Sequence, residues 1–353
     1  AYRIDTRPMV DGRPRDTRHT HDARKTATAV DFITRESGTL DRPWALHLGL
    51  SQPHPRFVAL QKYYDLYPLD QIDLPDLRQD DLENLHLVHQ ALRHFKLVAT
   101  PIAEDRIRRA QAGYYGMITE LDEYIGNVYT ALEQTGQLDN TFFIYTSDHG
   151  ESLGEHGMWN KNNLYENAAH IPLVIAGPGV PSGQTIDTPV AHVDLIATML
   201  DLAGQDRPTE LRGHSLLPML NGDPGDHPGF AYTENHSQGN CTGSFMIRKG
   251  DWKYIHFTWY DNLLFNLKED PDEFDNRIDD LDVQNIVHDL KTILHSQVDP
   301  EEVTRRAFDV QDRFLQNFAA DKTETKLTAA FESRMGKGLA GVLAAKVKAE
   351  LGD

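Results

Sequence analysis

The sequence predicts an α/β fold: a mixed sheet flanked by helices, followed by a smaller carboxyl-terminal antiparallel sheet and further helices. Three observations carry that expectation. Residues 141–146 read Thr-Phe-Phe-Ile-Tyr-Thr, an aromatic and β-branched run with the character of a buried strand. Between residues 103 and 136, Ile107, Ala110, Tyr114, Met117, Leu121, Ile125, Val128 and Leu132 recur at spacings of three and four, the stripe of an amphipathic helix, and Gly136 is placed to end it. Beyond about residue 220 the texture changes to short apolar runs separated by glycine- and aspartate-rich turns, the signature of antiparallel strands.

The remaining elements follow in chain order. Ala23, Ala27, Val30 and Ile33 predict a helix over residues 22–35. Residues 44–50 (Trp-Ala-Leu-His-Leu-Gly-Leu) read as a strand running into the proline-rich turn at 51–55. Residues 57–101 are charged and punctuated by proline, and predict a loop-rich excursion over a site. A strand at 171–176 and a helix at 193–203 continue the alternation of an α/β protein. Apolar runs at 230–233, 244–247, 252–257 and 262–267 supply the antiparallel sheet, and residues 282–317 are helical in pattern. The tail at 319–353, rich in Lys, Ala and Leu, reads as a surface helix or as the contact of a homo-oligomer. The expected division is residues 1–220, an α/β unit, and residues 221–353, a small antiparallel-sheet subdomain with terminal helices.

Composition narrows the function. With 353 residues the chain can bury a large core. Asp and Glu number 54 against 35 Lys and Arg, a net charge of −19. That balance argues against nucleic acid and against anionic membrane surfaces as partners. No apolar run approaches the ~18 residues of a membrane span. Cys241 is the single cysteine, which excludes an intramolecular disulfide. No signal peptide is visible; the compartment stays open, with an exported or periplasmic protein slightly favoured.

The chemistry is concentrated after the strand at 141–146, in Ser147-Asp148-His149-Gly150-Glu151-Ser152-Leu153-Gly154-Glu155-His156-Gly157-Met158-Trp159-Asn160-Lys161. A carboxylate and an imidazole at the carboxyl end of a strand lie where open α/β sheets place their sites. Asp148 offers hard oxygen and His149 nitrogen, a pairing suited to a divalent cation, and Lys161 supplies a point charge for an anion. A polar turn capped by glycine is the plainer alternative, and it accounts for Asp-His-Gly but not for the whole string.

This string resembles the sulfatase family of the alkaline phosphatase superfamily. The resemblance continues in Ala169-His170-Ile171-Pro172-Leu173-Val174-Ile175, in His192-Val193-Asp194-Leu195, in Leu211-Arg212-Gly213-His214-Ser215-Leu216, and in Met246-Ile247-Arg248-Lys249-Gly250-Asp251-Trp252-Lys253. It is shared about equally with the choline-sulfatase and arylsulfatase K-like groups. The resemblance implies a sulfatase-like mixed sheet, hydrolysis of a sulfated carbohydrate or small sulfate ester, and one divalent metal held by Asp148 and His149. Calcium is the ion implied; magnesium and manganese suit the same donors. It further implies Lys161 and His54 as catalytic groups, the second as hydrogen-bond donor or acid for the leaving oxygen, with Gln52, His156, His170 and His236 on the substrate side. His156 has orienting the loop as its competing role, and the segment carrying His236 is equally a specificity loop or a plain hairpin connection. Gln52 stands where some relatives carry a second lysine, and its amide could donate to a sulfate oxygen.

One expected part is missing. The family's Cys-x-Pro-x-Arg or Ser-x-Pro-x-Arg motif, whose first residue becomes the formylglycine nucleophile, is not found: Cys241 lies in Asn-Cys-Thr-Gly-Ser, and Ser51 has its arginine one position late at Arg56. The formylglycine is therefore expected in a missing amino-terminal segment, together with further metal-binding aspartates. Loss of early strands would expose a sheet edge, so these residues alone are expected not to form a well-behaved monomer. Two alternatives to a sulfatase remain: a phosphodiester or phosphonate monoester hydrolase of the same superfamily, and a non-catalytic homologue.

Overall fold

The computed structural model describes residues 10, 12–16, 21–77, 82–236 and 238–320. From residue 321 on, the expected tail helix lies outside them. The chain divides into two units, residues 7–294 and a second from residue 295 onward.

In the first unit a short parallel pair, β1 (Arg13–Arg15) and β2 (Val58–Leu60), brackets helix α1 (His21–Asp31), which runs on through a π turn at Phe32–Glu36. There follow α2 (Gln61–Tyr64), α3 (Leu87–Phe95) and the long α4 (Glu104–Gln134). α4 matches the predicted stripe: Ile107, Ala110 and Met117 pack with Phe57, Ala59, Leu153 and Trp159, while Val128, Ala131 and Leu132 pack with Ala29 and Ile33 of the α1 region. One helix thus holds the amino-terminal elements on one stretch and the site turn on another.

β3 (Phe143–Thr146) and β4 (Leu173–Ala176) form an antiparallel pair in the register Phe143↔Ala176 to Thr146↔Leu173, with the four-residue helix α5 (Glu166–Ala169) between them. Helix α6 (His192–Leu202) and the short α7 (Leu217–Leu220) cover this pair through Leu195, Leu216 and Met219 against Ile144, Leu173 and Ile175. Among the described residues β3 has no partner beyond β4. Val174, Val193, Ile196 and Met199 stay exposed.

The predicted antiparallel sheet is a four-stranded meander, β5 (Phe230–Asn235), β6 (Ser244–Lys249), β7 (Trp252–Phe257) and β8 (Leu263–Asn266). Its core joins Met246, Ile255, Phe257 and Phe265 to Val88 of α3 and to Leu164 and Tyr165 beyond the site turn. The helical pattern at 282–317 resolves into α8 (Gln284–Gln297) and α9 (Pro300–Ala320), the proline opening the second helix, where its missing N–H is no loss.

Two expectations are corrected. Residues 44–50 pair with no described strand, although Trp44 packs edge-on against Phe32 with ring centroids 5.6 Å apart. Apolar alternation reports burial, whereas a strand also needs a neighbour for its N–H and C=O groups. Residues 57–101 are more ordered than a loop: they contain β2, α2 and α3, the last burying Val88, His89 and Leu92 on one face. No described helix is long and apolar enough to cross a membrane.

Candidate active site

The turn after β3 is built by polar side chains. His192, at the start of α6, reaches the Ser147 carbonyl from Nε2 at 2.7 Å, and Ser147 Oγ donates to the His149 carbonyl at 2.8 Å. Gly150 donates its N–H to the Ala168 carbonyl at 2.9 Å. A Cβ at Gly150 would meet the Asn167 carbonyl oxygen at 2.1 Å, so the close approach of turn and α5 requires glycine there. Ser152, fully buried, donates from Oγ to the Asn160 carbonyl at 2.6 Å and accepts from Asn163 Nδ2 at 2.8 Å. These bonds fold residues 150–163 back on themselves and fix the backbone on either side of Lys161.

Asp148 and His149 converge. His149 Nδ1 lies 2.8 Å from the Gly150 carbonyl, and a proton donated there leaves Nε2 as a free lone pair, the tautomer a metal ligand needs. That Nε2 lies 3.4 Å from Asp148 Oδ2, whose side chain is 85% exposed. One oxygen and one nitrogen donor therefore point at a common, open space. Among the described residues no third Asp, Glu, His or Cys joins them, so the pair fits as part of a cation site rather than a whole one.

Lys161 is half-buried, and among the described residues its ammonium has no hydrogen bond or ion pair. Burial pulls its pKa below the usual lysine range, and the nearby Glu151 and Asp148 carboxylates oppose that pull. Glu151 is held up by burial, against hydrogen bonds from the Leu153 and Asn160 N–H groups and the charge of Lys161. A second cation, Lys96 at the end of α3, donates to Asn162 Oδ1 at 2.8 Å. Burial lowers its pKa, and the Lys161 ammonium lowers it further.

Gln52 and His54 sit on a separately braced turn. Asp22 Oδ2 accepts from the N–H groups of Ser51 and Gln52, each at 2.9 Å. The Gln52 amide does not point freely: Nε2 donates to Glu120 at 2.9 Å, and Oε1 is buried without a partner among the described residues. Glu120, on α4, also accepts from Arg15 and from the Tyr124 hydroxyl, both at 2.6 Å. Burial alone would raise its carboxyl; the hydrogen bonds from Tyr124, Gln52 and Arg15 win and hold it below the ordinary value. His54 is exposed, with Nδ1 2.7 Å from the Pro55 carbonyl, which leaves Nε2 outward.

The other histidines are placed differently. His156 is 7% exposed and stacks on Tyr165 with ring centroids 4.1 Å apart, with Phe274 at 4.7 Å, so it is packed into the wall of the turn. His170, exposed, pairs with Glu166 at 3.2 Å, and that hydrogen bond raises its pKa. His236 lies 3.8 Å from Glu234 and packs edge-on to Phe245. Asp22, Glu120, Lys96 and Glu151 were missed by sequence reasoning. Only Glu120 left a readable signal: it falls between Met117 and Leu121 on the apolar stripe of α4, where a carboxylate needs a reason.

Fold and geometry together define a mixed α/β protein with an Asp–His donor pair at the end of a strand and a half-buried lysine further along the turn that follows it. The chain belongs to the sulfatase family: the family profile described as "Sulfatase" matches residues 4–205, and that described as "N-sulphoglucosamine sulphohydrolase, C-terminal" matches residues 154–299. It is 33% identical to arylsulfatase K of Danio rerio over 302 residues, covering 79% of this chain and 57% of the relative. It is 34% identical to choline-sulfatase of Rhizobium meliloti (strain 1021) over 245 residues, covering 67% of this chain and 46% of the relative. The chain thus spans about half the length of these curated relatives. Among solved structures, the phosphonate monoester hydrolase from Silicibacter pomeroyi superposes with a TM-score of 0.68 at 26% identity, over 84% of this chain and 65% of that one.

Proposed function

We propose that the chain belongs to a metal-dependent sulfuric ester hydrolase acting on a sulfated carbohydrate or small sulfate ester. In this reading residues 1–220 belong to the catalytic domain and residues 221–353 form the smaller subdomain. The observation that carries it is the Lys161 ammonium, half-buried and without a protein partner among the described residues, in the field of the Asp148 carboxylate. A buried cation left unpaired is poised for an anion brought by a ligand.

Each residue then has a task. Lys161 binds the sulfate and stabilises charge growing on it. His54 presents Nε2 and, once protonated, can give a proton to the leaving oxygen. Asp148 and His149 would hold a divalent cation, calcium by resemblance, which when bound supplies Lewis-acid polarisation of the sulfate oxygens. Gln52, held through its amide by Glu120, shapes the pocket wall, and His156 orients the turn through its stack on Tyr165. His170 and His236 are the outer substrate contacts. The nucleophile is a formylglycine, which this sequence does not contain.

The likeness to a phosphonate monoester hydrolase supports a second reading, phosphodiester or phosphonate monoester hydrolysis on the same residues. Hydrolysis of an aryl sulfate against an aryl phosphonate monoester, by the full polypeptide its gene encodes, separates the two. The expected result is faster turnover of the sulfate, with Lys161→Met slower by about 100-fold. Preference for the phosphonate moves the assignment to the second reading. Turnover of neither establishes a non-catalytic homologue.

A further inference from the structure

The second cation beside Lys161 has no role in the reading above. Lys96 closes α3, a position where a lysine ordinarily serves the helix dipole by lying over the last carbonyls. Here its ammonium lies over the Phe95 ring, 5.9 Å from the centroid, and donates to Asn162 Oδ1 at 2.8 Å, on the residue next to Lys161. No carboxylate pairs with it among the described residues.

Residues 239 and 240 are fastened to the same place. Asn240 Nδ2 donates to the Asn162 carbonyl at 2.9 Å, and Gly239 lies so close over the Phe95 ring that a Cβ would meet Cδ1 at 2.2 Å. Asn162 is thus gripped through its carbonyl by the β5–β6 connection and through its side chain by α3. Three separate stretches of chain meet there, and two half-buried lysines share the space. Two like charges held in a partly desolvated place each favour an anionic partner of their own. The chain's net charge of −19 works against multiply charged anions at long range, so their binding must rest on such local cations.

We propose that Lys96 is a specificity-determining residue: with Lys161 on the sulfate, it forms a subsite for a second anionic group of the same substrate, a carboxylate or a further sulfate. The proposal rests on the sulfate-ester reading of Lys161 and adds a substrate class to it, esters carrying two negative groups. Asn240 walls this subsite.

Calorimetric titration of the purified protein with three sugar ligands tests it: a monosulfate, the same monosulfate bearing a carboxylate, and a disulfate. At least one two-anion ligand is expected to bind about tenfold tighter than the monosulfate, the size of one charge-assisted contact. Lys96→Gln should abolish that advantage without changing monosulfate affinity, and Lys96→Arg should keep part of it. Loss of the advantage for the carboxylate ligand alone, or for the disulfate alone, identifies the second group. Equal affinity of native protein for all three ligands overturns the subsite, as does a Lys96→Gln variant that weakens all three alike. Lys161→Gln is the control for the underlying reading and should weaken every ligand; if it weakens none, that reading fails and the subsite fails with it.

Discussion

The wholly buried ammonium of Lys253 lies 2.8 Å from a carboxylate oxygen of Glu273 and holds the carboxyl-terminal sheet to the site. The same ammonium reaches Glu166 at 3.0 Å, and the Glu166 N–H donates to Glu273 at 2.6 Å. Strand β7 and the turn after β8 are thereby fixed to α5, the helix against which Gly150 packs. Glu273 is held toward its neutral form by burial, so Glu166, the more exposed of the two, carries the charge that balances Lys253.

Removing the lysine alone should therefore be expensive. Lys253→Met leaves the buried Glu273 and the half-buried Glu166 without their cation and should destabilise the protein by about 3–5 kcal/mol in urea denaturation. Adding Glu273→Met should recover part of that loss, because the double variant leaves one buried polar carboxyl fewer without its lysine partner. A double variant as unstable as the sum of the two single ones would show that the network contributes by packing rather than by charge.

Acid should weaken the same network in a defined window. Burial would raise the Glu166 carboxyl, but His170 and Lys253 pull it down to about 2 from an ordinary 4.5. A depressed carboxylate stabilises the fold fully above its unfolded value, and that contribution fades as pH falls from about 4.5 toward 2, by on the order of 3 kcal/mol. Unfolding measured at pH 6 and at pH 3 should show a smaller difference for Glu166→Gln than for the native protein. Equal differences would mean that other carboxylates govern acid unfolding.

Much of this architecture was legible in the sequence, and the failures have physical causes. The α4 stripe and the four β5–β8 runs were readable because each element's periodicity matches its burial. The Asp148–His149 pair was readable because adjacent residues on a strand-ending turn need no long-range information. Residues 44–50 misled because their pairing depends on a partner strand, which periodicity does not report. Lys96 and Asp22 were invisible because each acts on a turn far away in sequence: Lys96 on Asn162, and Asp22 on Ser51 and Gln52. α3 was missed because its short apolar face lies in a charged stretch.

Glu120 gives a local test of how the Gln52 turn is held. Tyr124 donates one of several hydrogen bonds to this fully buried carboxylate. Tyr124→Phe should cost about 1.5–3 kcal/mol, the range for a hydrogen bond to a charged group, since nothing else fills the lost donor's place. Arg15 and Gln52 remain, so the turn should keep its structure. A loss below about 0.5 kcal/mol would mean that water replaces the hydroxyl and that the site is wetter than the burial of Glu120 implies.

His89 should make stability depend on pH well above the carboxylate range. Its ring is 1% exposed, neither nitrogen has a hydrogen-bond partner among the described residues, and Tyr165 and Phe257 flank it at 4.7 and 5.4 Å. Burial, with His86, His156 and Lys253 all adding positive charge nearby, lowers its pKa to about 3 from 6.5. The folded imidazole therefore stays neutral while the unfolded one gains a proton below pH 6.5. Its contribution is complete above that pH and declines as pH falls, reaching a loss of about 2 kcal/mol by pH 5. His89→Met removes both the titration and two orphaned nitrogens, so at pH 8 it should be neutral or stabilising. Urea midpoints of the two proteins at pH 8 and pH 5 measure the effect directly. The native protein should lose about 2 kcal/mol more than the variant over that interval; parallel losses would show that the ring is protonated, or has found a partner, in the folded state.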